Sequence, residues 1–128
     1  MRELTRRRLL RQLAPAAALA EGQQCVAVLK ELTASDPTNA VYQRNIGLCY
    51  EKLAVASERA ANDERAAPAQ RVKQLTAARA WYQKELEVFS DLRDRHTLMA
   101  ADAGKIETLA AKINKSQEAF AQPSRAPH

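Results

Sequence analysis

A helix-breaking Asp36-Pro37 turn, followed ten residues later by Gly47 on an apolar helical stripe, limits what this chain can fold into more than any other feature. The stretch runs from Cys25 to Ala54, CVAVLKELTASDPTNAVYQRNIGLCYEKLA. Pro37 cannot continue a preceding helix, and its ring restricts Asp36 to extended conformations, so the turn must be sharp. Gly47 carries no side chain and lets a neighbouring helix come close. Ile46 and Tyr50, four residues apart, fill one helical face. The pattern predicts two helices joined by a short turn, the second packed tightly against a neighbour.

Alanine is abundant, only three glycines occur and β-branched residues are scarce, which favours helix over sheet. No segment alternates like a strand, so the expected fold class is all-α. At 128 residues the chain has room for one domain with one continuous core. The net charge is +5, yet five arginines lie within the first eleven residues. Beyond them acids and bases nearly balance, which argues against a nucleic-acid surface on the body. No run reaches the roughly 20 apolar residues that span a bilayer. Cys25 and Cys49 lie in unrelated contexts without CxxC spacing, so neither a disulfide framework nor a zinc site is expected.

Ile46-Gly47-x-x-Tyr50, preceded by Cys25, Leu29 and Pro37 at the spacing of an Ala, Phe, Pro series, resembles the tetratricopeptide repeat, or TPR. The resemblance implies antiparallel helix hairpins stacked as a short right-handed solenoid. Cys25 stands where that family prefers alanine and reads as a small buried residue. Further on, ARAWYQKELEVFSDLR, then T-L-x-x-A-D-A-G-K and a final helix, is similar to the C-terminal repeat region of bacterial multi-domain signalling proteins, where it follows a Ser/Thr kinase or a DNA-binding activator domain. No kinase motif is present: the glycines are scattered and no phosphate-binding loop or H-R-D sequence occurs.

Residues 1–22 are expected to form a basic arm or a first helix, 23–120 the helical domain and 121–128 a tail too polar and proline-rich to fold. The first twenty residues, MRELTRRRLLRQLAPAAALA, admit three readings. Leu9, Leu13, Ala16 and Ala20 form a stripe suited to a packed helix, although Pro15 would cost about 3 kcal/mol or kink it. Thr5 to Arg11 resembles a twin-arginine export signal, with Ala18-Leu19-Ala20 as a processing site. A loosely packed basic arm is the third.

The helix from about Asn39 to Ala60 buries Ile46, Gly47, Tyr50, Leu53 and Ala54. Its other side presents Val41, Arg44, Asn45, Leu48, Glu51 and Lys52. By resemblance to the TPR groove these six residues face a partner, with Arg44, Asn45 and Lys52 suited to a carboxylate. The plainer alternative is a solvated polar face. Ala78, Tyr82, Leu86 and Phe89 supply the next element later than the 34-residue period allows, so two lengthened helices, about 40–61 and 67–93, are expected around Pro68. Trp81 packs beside that stripe or anchors a partner. Glu85 is expected to reach solvent or to mark looser packing. Gly104 and Glu107 open a last helix carrying Ile106, Leu109, Ile113 and Phe120, which caps the solenoid.

His96 lies in a polar connection and His128 in the tail, outside any nucleophile–base pair. Asp91, Asp94 and His96 read as a solvated turn rather than a metal site. The expected function is therefore a non-enzymatic scaffold with no catalytic residue, metal or cofactor. It would bind a protein or peptide partner, or a second copy of itself, rather than a small-molecule substrate or nucleic acid. A cytoplasmic location is expected, with export as the alternative if residues 1–20 act as a signal. The other functional reading is a basic accessory domain using its Arg-rich N-terminus on nucleic acid or an anionic membrane.

Overall fold

The computed structural model describes the backbone of residues 2–121 and the side chains of residues 16–117. Within that range the protein is all-helical: α1 (Arg2–Ser35), α2 (Ala40–Ala61), α3 (Pro68–Asp94) and α4 (Lys105–Ala121), with a 3₁₀ turn at Ala100–Asp102. No described residue forms a strand. Each helix packs on its neighbour in sequence, α1 on α2, α2 on α3 and α3 on α4.

The connections follow local chemistry. α1 ends at Ser35 immediately before Asp36-Pro37, as the proline demands. Asn39 then caps α2, its side-chain oxygen accepting from the N–H groups of Val41 at 3.0 Å and Tyr42 at 3.2 Å. Pro68 occupies the first turn of α3, where its missing N–H costs nothing. Residues 57–75 are accordingly helical on both sides of a short break at 62–67. α3 closes without glycine: His96 takes a left-handed φ of 58°, and Thr97 N–H donates back to the Leu92 carbonyl at 2.9 Å. That is the αL helix stop, made here by a histidine. α1 continues through Pro15 as a single helix, with no break at residue 22. The tail expected from residue 121 onward lies outside the described residues after Ala121.

Two apolar clusters build the core. Val26, Ile46, Cys49, Tyr50 and Leu53 join α1 to α2. Ala54, Tyr82, Phe89, Leu92, Leu109 and Ile113 join α2, α3 and α4. Trp81 touches both clusters and stacks on Tyr50, with ring centroids 5.8 Å apart and planes inclined by 20°. Its half-buried ring thus serves the core.

Gly47 sits where α2 meets α3. A Cβ there would lie 2.9 Å from the Phe89 ring, which is fully buried and cannot yield. A second close approach was not evident from the repeat pattern. A Cβ at Gly22 of α1 would lie 2.7 Å from the buried Leu53 side chain.

Two expectations require correction. Cys25 and Cys49 are not separate: they form a disulfide between α1 and α2, with Cα atoms 6.0 Å apart. A separation of 24 residues carries no motif, but two helices folded back at Pro37 place both residues on facing stripes. Glu85 does not reach solvent: it is 1% exposed on the inner face of α3, where it lines a small pocket.

Candidate functional site

The six residues expected to line a partner groove do not share one free surface. Val41 and Lys52 are exposed, and Asn45 is half-buried. Leu48 packs against the core shared by α2, α3 and α4. Arg44 and Glu51 are held by the C-terminal segment of the same chain. Arg44 Nε donates to Asp102 Oδ2 at 2.6 Å, and its Nη2 reaches Oδ1 at 3.3 Å. Asp102 is buried, so this two-point contact compensates a carboxylate that has lost its water. Glu51 accepts from Lys105 Nζ at 3.1 Å. Arg44 is therefore a structural anchor for the 3₁₀ turn that leads into α4, which the sequence could not show across a separation of 58 residues.

Beside this contact lies a small pocket between α2, α3 and α4, lined by Glu51, Tyr82, Glu85, Lys105, Thr108 and Lys112 among others. Burial, with the nearby Glu51 charge second, pushes the Glu85 carboxyl up to about 8, while Lys105 and Lys112 pull it down. Its Oε1 has no hydrogen-bond partner among the described residues. Burial also raises the Tyr82 phenol well above its ordinary range, and Glu58 adds to this.

A larger groove of about 700 Å³ opens where the end of α2, the first half of α3 and the last half of α4 diverge. Val72 and Leu75 stand on its wall, 54% and 37% exposed, over a floor of Ala78 and Tyr82. Among the described side chains its rim carries Arg79, Lys112 and Lys115 against one acid, Glu58. Lys112 Nζ lies 4.9 Å above the Tyr82 ring, and Arg79 donates to Gln117 Oε1 at 3.2 Å. Val72, Leu75 and Tyr82 recur at helical spacing along the sequence. The groove is not legible there because its opposite wall comes from α4, about forty residues away. A second groove of about 430 Å³, lined by Gln43, Ile46, Tyr50, Lys84, Glu87, Val88 and Asp91, is mixed in charge. Its aromatic wall is covered by Lys84, whose Nζ lies 5.1 Å from the Trp81 ring and 5.8 Å from Tyr50.

The residues around His96 form local ion pairs. Asp91 takes Arg95 at 3.2 Å and Asp94 takes Arg93 at 3.3 Å. Among the described residues no three His, Cys, Asp or Glu side chains converge as metal ligands. No helix there is long and apolar enough to cross a membrane. No protein-family model, curated protein or solved structure matches the chain.

Proposed function

We propose that this chain is a non-enzymatic protein-interaction module, a short TPR-like right-handed solenoid in which α4 caps the stack and a partner segment lies in the groove between α2, α3 and α4. The observation that carries this reading is the groove itself. Val72 and Leu75 remain solvent-exposed on a wall of a fold that elsewhere buries its α3 stripe, and polar residues rim them. An apolar centre with a polar rim is the anatomy of an interaction surface. The consecutive packing of four helices supports the repeat reading, as does the close approach at Gly47. The lengthened α2–α3 hairpin supplies the wall that faces α4, so the departure from the 34-residue period contributes the apolar side of the surface.

The test is binding by the purified full chain to a partner recovered from its host, compared with Leu75→Glu. The variant is expected to keep the helical circular dichroism and melting temperature of the parent while losing the partner. Equal binding by both proteins would refute the groove as the site.

One further observation favours a working location outside the cytoplasm, with residues 1–20 acting as an export signal. The Cys25–Cys49 disulfide is a cross-link of the kind that persists in oxidising compartments. Fusion of residues 1–22 to a reporter that folds before export tests it. Export lost on replacing Arg6 and Arg7 by lysine supports the reading, and a reporter that stays inside refutes it.

A further inference from the structure

From the charge and shape of the same groove, and resting on the interaction reading above, we infer that its occupant is an acidic peptide segment of a partner protein carrying an aliphatic or aromatic anchor. The wall formed by Val72 and Leu75 is apolar and exposed, which sets the anchor. Among the described side chains three cations face one acid around it, which sets the sign of the flanking charge. The cations lie on both walls. Arg79 projects from α3, and Lys112 and Lys115 from α4. A segment lying along the groove therefore meets positive charge on either side of its anchor.

Other occupants fit less well. The chain's own residues 119–128, AFAQPSRAPH, contain an arginine and no acid, so their charge does not complement the rim. A second copy docking through the same groove would bring its own Arg79, Lys112 and Lys115 against these three cations and meet like charge. Nucleic acid would supply negative charge, but single strands bind by stacking bases on aromatic rings. The ring in this groove, Tyr82, is buried to 4% exposure and already covered by Lys112. The walls offer aliphatic side chains instead, which suit a Leu, Ile or Phe anchor.

The experiment presents a random peptide library to the immobilised full chain. Synthetic peptides made from the enriched sequences are then measured by fluorescence anisotropy. The expected consensus has Asp or Glu on both sides of one large apolar residue. Leu75→Glu should abolish binding. Lys112→Glu with Lys115→Glu should weaken the acidic peptide by about tenfold or more, and rising salt should weaken it in the parent. Val72→Ser is a milder second probe of the same wall. Each variant must keep the parent's circular dichroism.

A basic or uncharged consensus would overturn the acidic assignment while leaving the groove reading intact. So would an acidic peptide indifferent to the lysine reversals. Tighter binding of a single-stranded oligonucleotide than of any selected peptide, at equal salt, would overturn it too. Removal of residues 119–128 that exposes binding absent from the full chain would make the tail the occupant and likewise overturn it. No enriched peptide from either form of the chain would overturn both the inference and the interaction reading.

Discussion

Where α1 clasps α2 and α2 meets α3, the contacts are apolar and covalent: Gly22 against Leu53, Gly47 against Phe89, and the Cys25–Cys49 bridge. Where the C-terminal segment returns to α2 and α3, charged contacts are added to the apolar packing of Leu109 and Ile113. Arg44 holds the buried Asp102, Lys105 reaches Glu51, and Glu85 is enclosed without a partner for one oxygen. The first region is held by shape, which changes little with pH. The second is held by groups whose protonation decides whether burial is tolerable. One small fold therefore has a half that should respond to redox conditions and volume, and a half that should respond to pH.

The largest effect should come from Glu85. Its carboxyl titrates near 4.5 when unfolded and at about 8 when folded, so the native state holds a proton that the unfolded chain gives up. The Glu85 contribution to stability should be fully present below about pH 4.5, fall as pH rises, and level off once pH passes the folded value near 8. Each pH unit in that window is worth about 1.4 kcal/mol for one such group. Glu85→Gln should flatten the slope and make the variant more stable than the parent at pH 8. Urea unfolding between pH 4 and 9 would decide it, and a parent whose stability does not fall over this window would break the contrast between the two halves.

Reducing the disulfide is the matching assault on the other half. Closing a loop of 24 residues restricts the unfolded chain by about 3 kcal/mol. Cys25→Ala with Cys49→Ala should melt lower than the oxidised parent by an amount that barely depends on pH. A loss that tracks the Glu85 titration instead would mean the halves are energetically fused. Gly47→Leu should come next, at about 1–3 kcal/mol, because the added side chain meets a Phe89 ring already enclosed on all sides. Thermal melts of variant and parent would show it, and equal melting temperatures would place Gly47 on a free surface.

The contrast also explains what the sequence disclosed. The α1–α2 turn and the start of α3 were readable because Pro37, Asn39 and Pro68 act locally, whereas α1 runs unbroken through residue 22, where a division was expected. Gly47 was readable because it sits on a periodic stripe. The Cys25–Cys49 bridge was not, because it depends on the register of two helices and carries no spacing motif. The Arg44–Asp102 pair was invisible for the same reason: Arg44 on an otherwise polar face looks like any solvated cation until the returning chain buries its partner. The groove was half legible. Val72, Leu75 and Tyr82 share a helical row, but only the fold brings Lys112 and Lys115 across from them.

The smallest expected effect gives the sharpest test of the polar half. Lys105 Nζ lies 3.1 Å from Glu51, with side chains 28% and 42% exposed, and 5.2 Å from the Phe89 ring. A pair this accessible is screened by water, so Lys105→Met should cost only about 0.5 kcal/mol near neutral pH. Lys105 also lowers the Glu85 titration through its charge. Removing it should therefore raise the folded Glu85 value further and carry the fall in stability to higher pH. The shift should vanish when Lys105→Met is combined with Glu85→Gln, because no titrating carboxyl remains at that position to feel the missing charge. Urea melts of the two single variants and the double variant across the pH range form a double-mutant cycle for this coupling. Should Lys105→Met leave the pH profile where it was, the enclosed carboxyl would be answering to burial and its other neighbours, and the Lys105 charge would have no hold on it.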